Sequence, residues 1–310
     1  MKVSSIDMPD NWSELVPYVI TNQEEVVRHI ISAEKCFFYD TCAFWNHMSI
    51  GDPSPIFDYI KSQKGIVILT KIILVELCSG NQKLWEEHIK YVQKMKQCGV
   101  IVLVIAEEDI YTVLCSCYSG IARVNLMLSD AVKYTKSKTG SVEDVLQKNI
   151  VLRKEVLSPS GSKDSSLAER FFREARENKM PGDNMGEELL AICIHMLANM
   201  PEQGVYKYIV LTDDYTAMKL FGKTKENVEK HTGRRCISGV TTAKLCWLMV
   251  NSGILLKEDS VKEIISSGHI DNQLRVYSSE QYELSPSEKM MTIEEFSNKI
   301  VNESGVKIYL

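Results

Sequence analysis

Five short apolar runs, spaced by stretches of helical periodicity, constrain most strongly how this chain can fold. They are "CFFY" (Cys36 to Tyr39), "IVIL" (Ile66 to Leu69), "GVIVLVIA" (Gly99 to Ala106), "YIVL" (Tyr208 to Leu211) and "RRCISGV" (Arg234 to Val240). A run this short and apolar at consecutive positions suits a strand buried on both faces. Parallel neighbours are reached only by recrossing the sheet, so strands alternating with helices imply a parallel sheet with crossover connections. The expected fold class is α/β: a five-stranded, mostly parallel sheet flanked by helices.

Helices fill the intervals. Thr21-Asn22-Gln23-Glu24 is a capping-box pattern and predicts a helix to about Ser32. Further helices are predicted at about 56–62 and 82–97. Ile72 to Leu77 is apolar enough for a strand. Thr70 can cap a helix, however, and Leu74, Leu77 and Cys78 recur at helical spacing, so a helix is expected. From Glu107 to Asn184 no strand pattern occurs; helices are predicted at about 107–117, 121–135 and 142–156, then "LAERFFREAREN" after a Ser-rich break. A strong helix follows from Glu187 to Met200, with two more at about 242–251 and 261–267. From Ser279 the chain is polar apart from the amphipathic "TIEEFSNKIVN".

Length and composition exclude several classes. A chain of 310 residues, 45% hydrophobic, buries a core without disulfide or metal staples. Its net charge of -5 gives no global attraction to nucleic acid or anionic membranes, so any such contact must be local. The nine cysteines are odd in number and sit mostly in apolar runs, which predicts reduced, structural thiols. No signal-peptide pattern or long uncharged apolar run is seen, and a cytoplasmic protein is expected.

The chemistry is expected at the carboxyl ends of the strands, where open parallel sheets bind ligands. Asp40 ends the first strand and Asp213-Asp214 follow the fourth. Glu76 lies one turn into the helix after the second strand, and Glu187, beside Glu188, opens a helix leading to the fourth. Each acid alone has a plain structural reading: a turn residue for Asp40 and Asp213-Asp214, a helix-dipole partner for Glu187. Glu76, flanked by apolar residues, is harder to read so, because carboxylates are rarely buried unpaired. Carboxylates brought together need a cation or a shared proton, and an all-oxygen set suits Mg²⁺ or Mn²⁺.

The pattern resembles a PIN-domain ribonuclease. The resemblance rests on an apolar strand ending in Asp-Thr ("FFYDTCAF"), an acid in an apolar helix ("ILTKIILVEL"), an acid opening a helix ("GEELLAICIHMLA") and a strand followed by Thr-x-Asp ("IVLTDDYTA"). It implies catalytic and metal-holding roles for Asp40, Glu76, Glu187 and Asp214, with Asp213 and Glu188 as alternates and Thr41 and Thr212 orienting the acids. It also implies Mg²⁺ or Mn²⁺ as cofactor and RNA as substrate. Compact family members have a shorter gap between the second and third acids, so residues at about 107–182 read as a helical insertion. The implied organisation is an N-terminal helical extension at 1–35, a PIN-like domain at 36–278 and a tail at 279–310.

Phosphate contacts need local cations. Lys136, Lys138 and Lys148 in the helical block, and Arg234 and Arg235 before the fifth strand, are the candidates, against the plain reading of a solvated helix face. Trp45 and His47 follow Asp40 and read either as base-stacking or as loop-packing groups. The expected function is a metal-dependent endoribonuclease. Many PIN-like proteins of this simple type are toxins, so the resemblance implies a cognate antitoxin or a self-blocking segment such as the tail, and leaves room for a homodimer. The alternative is a non-catalytic PIN-like binding module whose acids hold a structural metal. A haloacid dehalogenase-type phosphatase needs a second Asp two residues after the first, where this chain has Cys42, and no glycine fingerprint for a dinucleotide is present.

Overall fold

The computed structural model describes residues 8–78, 82–201, 204–268, 272–279, 287–303 and 305–309. Five parallel strands form the central sheet: β1 (Lys35–Tyr39), β2 (Gly65–Thr70), β3 (Ile101–Ile105), β4 (Tyr208–Leu211) and β5 (Ile237–Val240). Their order is β3-β2-β1-β4-β5. Phe37, Phe38 and Tyr39 are fully buried, as consecutive apolar residues require when helices cover both faces of a sheet. Phe38 pairs in register with Ile68 on one side and Val210 on the other.

This order places the reversal of winding between β1 and β4. The ladder there runs one residue past the strands, with the Asp40 amide donating to Leu211 O at 2.9 Å. Asp40 and the Thr212-Asp213-Asp214 segment therefore leave the sheet side by side, at the crevice where such folds bind ligands. Asp40, Thr70, Asp214 and Thr241 each stand at the N-cap of the helix that follows their strand. Several helix N-termini thus begin at this one edge, which favours negative charge there.

Among its described residues, the segment between β3 and β4 contains helices and no strand. Its first helices are Asp109–Cys117 and Ile121–Thr135. The helix expected at 142–156 is two, Ser141–Lys148 and Ile150–Leu157, because Asn149 leaves helical geometry and caps the second through the Leu152 amide. Leu167–Glu177 and Met185–Leu197 complete the block. Two buried carboxylates tie it down. Glu107 accepts from the Ile72 amide at 2.9 Å and pairs with Arg176, whose other contacts go to Glu108. Glu188 accepts from the amides of Ser137 (3.1 Å) and Val142 (2.8 Å).

The ends of the chain differ from the sequence expectation. Asn22, not Thr21, caps the Gln23–Ser32 helix, accepting from the amides of Glu24 and Glu25. Ile20 bridges to Leu103 and covers the outer edge of β3. Past the sheet, β6 (Gln273–Ser279), β7 (Ser287–Thr292) and β8 (Lys307–Ile308) form an antiparallel sheet in the order β7-β6-β8. The boundary expected at 278–279 falls at the end of β6. The Ile293–Asn302 helix, with Phe296 and Ile300 buried, packs on the Glu258–Ser266 helix, and Trp247 Nε1 donates to Val306 O at 2.9 Å. All nine cysteines are free, and no described helix is long and apolar enough to cross a membrane.

Candidate functional site

Asp40 is 3% exposed, and both its oxygens are held. Oδ1 accepts from the Thr41 amide at 2.8 Å; Oδ2 accepts from Thr212 Oγ1 at 2.6 Å and from Cys42 Sγ at 3.2 Å. Burial raises its pKa, these three bonds pull it back, and the charge on Asp214 raises it further. Thr212 Oγ1 also accepts from the Asp214 amide at 3.1 Å, so one hydroxyl ties β1 to the turn after β4.

Glu76 reaches the same edge from the Lys71–Leu77 helix. Thr41 Oγ1 donates to its Oε2 at 2.6 Å, and Lys179 Nζ lies 3.1 Å from its Oε1. Burial raises the Glu76 pKa, and Lys179 and Thr41 oppose that rise. The carboxylate lies flat against Gly186, where a Cβ would stand 2.6 Å from Glu76 Cδ. Any side chain at 186 would push Glu76 off its two partners.

Glu187, in the first turn of the Met185–Leu197 helix, differs from the other acids in one respect. Its Oε2 is buried and has no hydrogen-bond partner among the described residues. Burial pushes its carboxyl up to about 7; its own amide opposes this, and the charges of Glu76, Asp40 and Asp214 add to it. Asp214 is exposed, and its Oδ1 accepts from the amides of Thr216 (2.6 Å) and Ala217 (2.9 Å).

The two alternates are engaged elsewhere. Asp213 accepts from the Thr242 amide at 2.7 Å, from Thr242 Oγ1 at 2.6 Å and from Asn46 Nδ2 at 2.8 Å, which fastens the Thr242–Asn251 helix to the Thr41–Met48 helix. Glu188 is fully buried under the 137–142 turn, where a Cβ on Gly140 would stand 2.6 Å from its Cδ. Adjacent helix positions lie about 100° apart, so Glu187 and Glu188 take opposite duties.

Of the basic candidates, Lys136 pairs with buried Glu143, which Arg153 also holds, at 2.6 Å. Arg234 donates to Ala198 O (3.1 Å) and Met200 O (2.5 Å), closing the end of the Met185–Leu197 helix. Lys138, Lys148 and Arg235 are exposed. Trp45 packs edge-on to Trp85 and His88, and His47 is buried between Tyr39 (3.0 Å) and Thr242 (2.9 Å). Sequence reading missed Lys179, Gly186 and the Thr242–Asp213 lock. Only Gly186, a glycine next to a candidate acid, carried a local signal.

Four carboxylates thus share one edge and one electrostatic field. Among the described residues, no three His, Cys, Asp or Glu side chains are gathered closely enough to grip a metal ion as they stand. The donors nonetheless fit a hard divalent cation in kind, being all oxygen, and the orphaned Oε2 of Glu187 is an acceptor that such an ion would satisfy. Comparison with known protein families, curated proteins and solved structures finds no match for this chain.

Proposed function

We propose that this chain is a metal-dependent nuclease of the PIN type, acting as an endoribonuclease. One observation carries the reading: at the switch point of a parallel sheet Glu187 presents a buried carboxylate oxygen that has no partner among the described residues, within the field of Asp40, Glu76 and Asp214. Like charges in a partly desolvated crevice repel strongly and are tolerated where a cation joins them.

Asp40, Glu187 and Asp214 would hold Mg²⁺ or Mn²⁺. When bound, such an ion activates water and stabilises charge on a phosphodiester. The chain's own groups do the rest. Thr212 and the Thr41 amide fix Asp40 in one orientation, so little reorganisation is needed on binding. Thr41 and Lys179 fix Glu76 beside them. The helix N-termini at this edge favour the phosphate, and exposed Lys138 sits on the turn that Glu188 fastens to the Glu187 helix. The helical block between β3 and β4 is, on this reading, an insertion that carries part of the substrate surface.

A second reading is favoured by Lys179, which already neutralises Glu76: the acids would hold a structural metal in a binding module without catalysis. Incubation of mixed structured RNAs and single-stranded DNA with Mn²⁺ separates the two. The nuclease reading predicts RNA cleavage that EDTA and Asp40→Asn each abolish. Intact polymer after incubation with folded protein favours the module.

A further inference from the structure

Lys179 lies beneath the surface beside the carboxylate edge. It is 7% exposed, and its ammonium is ringed by oxygens. These are Glu76 Oε1 at 3.1 Å, Asp183 Oδ1 at 2.5 Å, Met180 O at 3.1 Å and Asp183 O at 3.4 Å. An ammonium offers three donors and no acceptor, so this cage satisfies it as a shell of hard oxygens satisfies a metal ion.

The cage is built by the turn that leads into the Glu187 helix. Asp183 Oδ2 accepts from the Met180 amide at 2.7 Å and its Oδ1 from the Met185 amide at 3.1 Å. Gly182, at φ +74°, supplies the left-handed residue the turn needs. Lys179 is therefore held in place from its own side, and Glu76 completes the shell from across the site.

We infer that Lys179 is a cation built into the carboxylate site, occupying the position of a second metal ion, so that the site takes up one divalent ion per chain. This rests on the metal-site reading above. Glu76 is consequently a partner of Lys179 and a neighbour of the metal-holding acids. Lys179 acts as a positioning residue, fixing Glu76 and setting the number of ions. Removing the ammonium leaves Glu76, Asp183 and two backbone oxygens facing an empty centre, an oxygen set that suits Mg²⁺ or Mn²⁺.

The test is calorimetric titration of the full chain with Mn²⁺, using wild type, Lys179→Met, Lys179→Arg and Asp40→Asn. Ions still bound by Asp40→Asn that also carries Glu76→Gln are subtracted as lying outside the site. The expected stoichiometry is one for wild type and Lys179→Arg, and two for Lys179→Met. Saturating Mn²⁺ should also raise the Tm of Lys179→Met more than that of wild type. A purely structural lysine would change Tm in the variants without changing the ion count. Two ions in wild type would overturn the inference and leave the nuclease reading standing, and that result needs neither Lys179 variant to fold. One ion in both wild type and Lys179→Met would also overturn it. No ion in wild type would overturn both. Should Lys179→Met not fold, Lys179→Gln replaces it with the same expected count.

Discussion

The Cα of Gly186 lies directly against the carboxylate of Glu76, leaving no room for a side chain: a Cβ there would stand 2.6 Å from Glu76 Cδ. Gly186→Ala should therefore separate two quantities that usually move together. Alanine gains about 1 kcal/mol of helix propensity over glycine, offsetting the clash. Glu76 must move, however, and loses its geometry with Thr41 and Lys179. RNA cleavage should fall about 10²-fold, the scale of a 1 Å misplacement, while Tm stays near that of wild type. Unchanged cleavage in this variant would remove Glu76 from the site.

Glu188→Gln should do the opposite. The substitution leaves an amide where two backbone N–H groups, of Ser137 and Val142, now find acceptors. One donor is left facing another donor, at a cost of about 1–3 kcal/mol. Denaturant unfolding should register that loss, and cleavage per folded molecule should be unchanged. A variant that stays stable but stops cleaving would assign Glu188 to the chemistry instead.

The difference between these neighbours explains how far the sequence could be read. Apolar runs bounded by Asp40, Glu76 and Asp214 were legible because strand burial and edge position follow from local pattern alone. Glu187 against Glu188, and Asp213 against Asp214, were not resolvable from pattern. The deciding contacts come from the 137–142 turn and from Thr242, far away in the chain. Lys179 was illegible for the same reason, since nothing near it in sequence announces Glu76. The Tyr215–Thr232 helix gives only a weak pattern in the sequence because a thin stripe of it, including Met218, Phe221 and Val228, is buried. In β6 the alternation of buried Leu274, Val276 and Ser278 with exposed Gln273 and Arg275 was present but short and polar.

Arg176 joins the helical block to the sheet through Glu107, which is fully buried. Arg176→Met keeps the bulk and removes the charge, stranding Glu107 without its counter-ion. Breaking a buried pair from one side costs about 3–5 kcal/mol, and urea unfolding should show a loss of that size. A loss below about 1 kcal/mol would mean that Glu107 is satisfied by the Ile72 amide alone.

Stability should also fall in mild acid. His195 is buried with both ring nitrogens unpartnered among the described residues, and it stacks on Tyr134, whose ring lies tilted against His231. Burial, with the nearby His231, pulls its pKa from 6.5 to about 4. The unfolded chain thus takes up a proton that the folded chain refuses in this interval. Stability is lost as pH falls from the unfolded to the folded value and is flat below, with a ceiling on the order of 3 kcal/mol. His47 and His88, each also pulled down to about 4 by burial, act in the same window. The informative quantity is therefore the difference between wild type and His195→Phe, unfolded in urea at neutral and mildly acidic pH. The variant should lose less stability on acidification; an equal loss would mean that the folded chain takes up the His195 proton as readily as the unfolded chain does.

The most direct test of the account lies with Glu187, whose buried oxygen has no partner among the described residues and faces three other acids. Glu187→Gln removes a charge that burial and Glu76, Asp40 and Asp214 all disfavour. The measurement is the Tm of wild type and Glu187→Gln with and without Mn²⁺, alongside RNA cleavage by the same samples. Without metal the variant should be more stable than wild type, Mn²⁺ should stabilise wild type only, and the variant should not cleave. A variant that cleaves RNA at the wild-type rate, or a wild type whose Tm ignores Mn²⁺, would contradict the account.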